Sequence, residues 1–135
     1  IERLTAMGWD VNPFPLIWHK SDNTGLLPDP NRGLRRIYES AFFASRGDRK
    51  IVRAVSNLVS WPGKDKSIHM SEKPRGMLRH FLRMVTDEYT SFLDPTCGSA
   101  NAVKVADDLG ATRVLGLERD EDFYNLAKEN YDVED

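Results

Sequence analysis

Six consecutive residues, Asp94-Pro95-Thr96-Cys97-Gly98-Ser99, have the types needed to bring a backbone close to a ligand, and Glu118 follows about two dozen positions later. The small residues break an apolar run, Phe92-Leu93, and lead into Ala100-Asn101 and a helix-like segment. A loop of this kind turns backbone N–H groups and a helix N-terminus toward a bound molecule. Glu118 stands at the end of the next apolar run, Val114-Leu115-Gly116-Leu117. The outline is that of a nucleotide-type pocket. A plain connection between strand and helix has the same composition, so the spacing alone leaves both readings open.

The elements that must position these groups follow from periodicity. Phe92–Asp94 reads as a strand. The helix from about Ala100 to Leu109 is expected to bury Ala102, Val105, Ala106 and Leu109, and Gly110 ends it. Arg113–Leu117 reads as the next strand, which completes a βαβ unit. Asp120 is a favourable N-cap for a last helix that offers Phe123, Leu126, Ala127 and Tyr131 to the sheet. Upstream, Ser71-Glu72-Lys73-Pro74 is expected to start a helix whose buried stripe is Met77, Leu78, Phe81, Leu82 and Val85. Such a stripe is ordinary core.

The first half is more irregular. Ile1–Met7 reads as the tail of a helix capped by Gly8, and the missing N-cap gives the expectation that the sequence starts inside a larger protein. Pro15–Lys20 is a strand introduced by prolines. Residues 21–35 form a long loop, and Arg36–Ala44 a second strand turned by Arg46-Gly47-Asp48. The segment 51–61 has apolar residues at helical spacing, but its β-branched content and the Trp61-Pro62-Gly63 ending favour an extended form. Residues 62–66 read as a basic, turn-rich linker.

Composition narrows the classes. The chain has 135 residues, 40% hydrophobic and 30% charged, which suits one soluble domain. It lacks an apolar run able to span a bilayer. Cys97 is the single cysteine, so no intrachain disulfide forms and a cytoplasmic setting is expected. The three histidines are dispersed, and a structural zinc site is not expected. Charge is polarised: residues 1–83 carry 15 Lys+Arg against 8 Asp+Glu, and residues 84–135 carry 4 against 13, which together give the net −2. The basic half, with Arg32, Arg35, Arg36, Arg46, Arg49, Lys50 and Arg53, suits either a solvated face or contact with nucleic-acid phosphates.

The order His69-Met70-Ser71-Glu72-Lys73-Pro74, an amphipathic helix, Asp94-Pro95-Thr96-Cys97-Gly98-Ser99-Ala100, and Gly116-Leu117-Glu118-Arg119-Asp120 resembles the DNA amino-methyltransferases that modify adenine N6 or cytosine N4. It is similar to the C-terminal part of their permuted arrangement, in which the methyl-donor site follows the catalytic motif. Leu16–Lys20 and Tyr38–Phe42 resemble the two strands that precede that part, so the likeness covers nearly the whole chain. A softer likeness is to phage or prophage versions and to restriction-modification systems.

The resemblance implies an α/β, Rossmann-like S-adenosylmethionine-dependent methyltransferase fold, partial because the upstream catalytic strands are missing. It divides one domain into closing strands and a basic loop region (1–66) and a donor-binding βαβ half (67–135). It implies S-adenosyl-L-methionine as cofactor and DNA as partner. The donor site would comprise Lys73, Pro74, Asp94, Pro95, Thr96, Cys97, Gly98, Ser99, Glu118 and Arg119. In it the loop faces the methionine end, Glu118 holds the ribose and Lys73 meets the donor carboxylate.

Two departures stand out. Ala100 replaces a usual glycine and Asn101 a common threonine. The acidic or amide residue followed by Pro-Pro and an aromatic, which would engage the target amine, is absent, because the chain contains no Pro-Pro pair. Asn12-Pro13-Phe14-Pro15 precedes a strand instead of following one and is a decoy, as is Asp29-Pro30-Asn31. No catalytic residue is therefore assigned. The chain is expected to be inactive alone and to self-associate through exposed strand edges. A non-catalytic donor-binding module and a DNA-binding module are the alternatives.

Overall fold

The structure is a computed structural model that describes residues 1–27, 29–63 and 72–132. His69, Met70 and Ser71 of the expected motif, and most of the basic linker, lie outside the described residues.

A short helix, α1 (Glu2–Ala6), precedes β1 (Asp10–Val11). β2 (Leu16–Lys20) is the centre of a three-stranded sheet, antiparallel to β3 (Tyr38–Ala41) and parallel to β5 (Leu58–Trp61). The second expected strand is shorter than read, because the backbone leaves the sheet after Ala41 and re-pairs as β4 (Ala44–Ser45) with β1. Between 51 and 57 the chain is irregular; only Leu58–Trp61 pairs. Trp18 anchors this sheet, 3% exposed, with its indole N–H donated to the carbonyl of Trp61 at 2.9 Å.

The second half follows the βαβ expectation. β6 (Ser91–Asp94) and β7 (Arg113–Gly116) run parallel, joined by α3 (Asn101–Asp108). α4 (Glu121–Tyr131) follows, and its expected cap is present: the Asp120 carboxylate accepts from the backbone N–H of Phe123 at 3.0 Å. Ala127 is its buried residue, whereas Leu126, expected against the sheet, is exposed.

Helix α2 (Arg75–Leu82) joins the two halves, packing on α3 and on β5. Its start differs from the sequence reading. Pro74 is the N-cap in extended backbone, so Glu72 and Lys73 precede the helix, and Val85 lies beyond its end. The pyrrolidine ring lacks an N–H and disfavours helical backbone in the residue before it. Gly76 sets the contact with β5, because a Cβ there would collide with the Trp61 ring. Among the described residues the strands form three separate sheets, β1–β4, β3–β2–β5 and β6–β7, and no ladder connects one to another.

The burial phase of α3 also departs from expectation. Asn101, Val103, Val105 and Ala106 are buried, while Ala102 and Leu109 are partly exposed. The helix is covered by α2 as well as by its own strands, so the buried stripe is rotated toward two neighbours at once.

Candidate functional site

The loop after β6 is built from local hydrogen bonds. Asp94 turns the chain, its carboxylate accepting from the Thr96 N–H at 3.0 Å and its carbonyl from the Leu117 N–H at 2.9 Å. The Cys97 N–H is donated to the Leu117 carbonyl at 2.9 Å, which ties the loop to the end of β7. Gly98 has φ +52°, and an added Cβ there would meet nothing within 4 Å. Backbone conformation, not crowding, therefore favours glycine at 98.

Ala100 is the N-cap of α3 at φ 63° and ψ 15°, a left-handed conformation that a methyl group disfavours by about 1–2 kcal/mol. Ala100→Gly is expected to stabilise the fold by roughly 0.5–1 kcal/mol, the strain relief less the added unfolded-state entropy. Urea unfolding checks this: the midpoint should rise at unchanged slope, and a fall would show that the left-handed cap is not a strained one.

Glu118 reaches back to the loop. One carboxylate oxygen accepts from the Gly98 N–H at 3.1 Å and the other from the Asp120 N–H at 2.8 Å. Each oxygen retains a lone pair for a hydroxyl. Cys97 lies between Asp94 and Glu118; burial, with the charges of both carboxylates, pushes its thiol above the ordinary value. It is thus a poor nucleophile, because the thiolate is the reactive form.

Behind the loop sits a buried polar network. The Asn101 amide donates to Glu72 at 2.8 Å and to the Lys73 carbonyl at 3.0 Å, and accepts from Arg75 Nε at 3.0 Å. Arg75 also donates to the Asn130 carbonyl at 3.0 Å, so the starts of α2 and α3 and the end of α4 share one set of bonds. Asn101, noted above only as a departure, thus couples three helices. A threonine, with one hydroxyl, could not make all three bonds.

A cavity of about 460 Å³ opens over the loop, lined by Glu72, Lys73, Leu78, Asn101, Ala102 and Glu118 together with Asp94, Thr96, Cys97, Gly98 and Ser99. Seven of the ten expected site residues meet here. Pro74, Pro95 and Arg119 are not among its lining: Pro74 is buried as the α2 cap, and Pro95 and Arg119 are exposed. Glu72 and Asn101 were not expected; the signal for both was their place inside the motifs, which spacing could not convert into a contact. Among the described residues Lys73 is the one cation on the wall, and its Nζ is paired with Glu39 at 2.5 Å. Among the same residues no cluster of His, Cys, Asp and Glu could hold a metal ion, and no helix is long and apolar enough to cross a membrane.

No family model matches the chain. The type II methyltransferase M.HindIII of Haemophilus influenzae is 30% identical over 71 residues, which are 53% of this chain and 23% of that protein. The chain therefore spans under a quarter of that curated relative. Among solved structures, the M1.HpyAVI–SAM complex superimposes with a TM-score of 0.78 at 20% identity, covering 98% of this chain and 67% of that one. TTHA0409 of Thermus thermophilus, provisionally named a DNA modification methylase and complexed with S-adenosyl-L-methionine, gives 0.71 at 22%, covering 96% and 56%. These superpositions extend over all three sheets and α2, and with the sequence match they fix the architecture: the chain has the α/β, Rossmann-like fold of the S-adenosylmethionine-dependent DNA methyltransferases.

Proposed function

We propose that this chain is the S-adenosylmethionine-binding portion of a DNA methyltransferase acting on an exocyclic base amine, adenine N6 or cytosine N4. The observation that carries the reading is the convergence of the Gly98 loop, Glu118 and Lys73 on one cavity. The donor has a carboxylate, a sulfonium and a ribose. Lys73 complements the first, the acidic wall of Asp94 and Glu118 favours the second, and Glu118 accepts from the third. S-adenosylmethionine supplies the methyl group as an electrophile; the residues of this chain bind and orient it. Calorimetric titration with S-adenosylhomocysteine tests the reading: one molecule bound per chain supports it, and absence of binding at millimolar ligand overturns it.

The DNA part of the proposal rests on charge. Arg32, Arg35, Arg36, Arg46, Lys50 and Arg53 are exposed, whereas Arg49 is engaged within the fold by Asp87, Thr90 and the Val85 carbonyl. The chain is expected to bind duplex DNA weakly and without sequence preference. If three phosphates are engaged, affinity should fall roughly 40-fold between 50 and 200 mM salt through counterion release. Fluorescence anisotropy at the two salt concentrations checks this, and an unchanged affinity would remove the phosphate-contact argument. A donor-binding module without chemistry of its own is the second reading, favoured by the lack of a Pro-Pro pair.

A further inference from the structure

Lys73 arrives at the cavity wall already held. Its Nζ donates to one oxygen of Glu39 at 2.5 Å, and the other oxygen takes Lys20 Nζ at 2.8 Å. Both ammonium groups stand over the Trp18 ring, Lys20 at 5.0 Å and Lys73 at 5.8 Å from its centroid. Trp18 is buried and bonded to the Trp61 carbonyl, so this platform is part of the core. Burial opposes ionisation of Glu39, but the hydrogen bonds from Lys20 and Lys73 outweigh it and hold the carboxyl below its ordinary value.

Two features decide what this arrangement does. Glu39 divides its one negative charge between two ammonium groups, so its ion pair with Lys73 leaves that ammonium group incompletely neutralised. Glu39 and Lys20 line a separate cavity of about 450 Å³ with Thr24, Arg36 and Tyr38, whereas Lys73 lines the loop cavity. Glu39 thus grips the lysine from behind and takes no ligand space. Among the described residues one of the three N–H groups of Lys73 is used, and two remain. An unheld lysine would lose rotamer freedom on binding a ligand; one already held loses less.

We infer that Glu39 is a positioning residue for the donor: its ion pair with Lys73 pre-sets the ammonium group that receives the carboxylate of the amino-acid end. The inference rests on the donor-site reading above, and its test separates the two. Calorimetry of the whole chain with S-adenosylhomocysteine, which carries that carboxylate, is compared with 5′-methylthioadenosine, which keeps the nucleoside and sulfur but lacks it. Glu39→Ala should weaken S-adenosylhomocysteine roughly fivefold, the scale of a partly exposed ion pair, and leave methylthioadenosine unchanged. In a Lys73→Met background the same substitution should have no further effect, because the two residues act as a unit. Equal losses for both ligands would show a merely structural role and overturn the inference, as would unchanged or tighter binding of S-adenosylhomocysteine. If the parent chain binds neither ligand, the donor-site reading falls and the inference with it.

Discussion

Glu118→Ala is expected to weaken S-adenosylhomocysteine binding by about 1.5–3 kcal/mol, roughly 10- to 150-fold in Kd. A carboxylate that takes two ribose hydroxyls makes charge-assisted bonds, and nothing in alanine replaces them. The structure adds a second contribution, since both Glu118 oxygens also hold backbone N–H groups, of Gly98 on the loop and of Asp120 at the α4 cap. Removing the side chain frees the loop as well as the ribose partner. Calorimetry measures the total, and thermal unfolding of the same variant shows how much of it is loss of the fold. A variant that binds as tightly as the parent chain would end the assignment of Glu118 to the ribose.

The largest expected effect is an absence. In a tritium-transfer assay with unmodified DNA, this chain by itself should transfer no methyl group above background. Transfer requires the donor sulfonium, a flipped base and a polar group engaging its amine in one water-excluded pocket. The described cavity offers a place for the first, and the sequence has no Pro-Pro tetrapeptide to supply the last. Among the described residues β6 and β3 each present an unpaired side, with Leu93 58% and Tyr38 49% exposed. Unpaired strand edges seek partners, so self-association measurable by light scattering is expected beside the lack of activity. A monomeric chain that methylates DNA would overturn both expectations.

Much of the second half of the chain was legible because its signals are local. The apolar run of β6, the small-residue loop, the run of β7 and the Asp120 cap each declare themselves within a few residues, and the structure places them within a residue or two of the reading. The glycine departure at Ala100 was legible too. Its consequence, a left-handed cap, needed the backbone geometry.

What tertiary structure alone decided are the contacts between positions far apart in the chain. Periodicity put Ala102 and Leu109 in the core of α3, but packing against α2 rotated the buried face to Val103. The sequence reading began α2 at Ser71-Glu72-Lys73-Pro74, whereas the helix starts at Arg75, which leaves Glu72 and Lys73 outside it, on the wall of the cavity over the loop. Lys73 was foreseeable as a cation near the site. Its partner, Glu39, lies 34 residues earlier on a strand of the three-stranded sheet, and Asn101 meets Glu72 across 29 residues. Residue spacing encodes helix faces and strand alternation over a few positions, because backbone geometry repeats with those periods. It carries no term for which side chains meet when two sheets are drawn together by a helix, and here that packing sets the charge on the cavity wall.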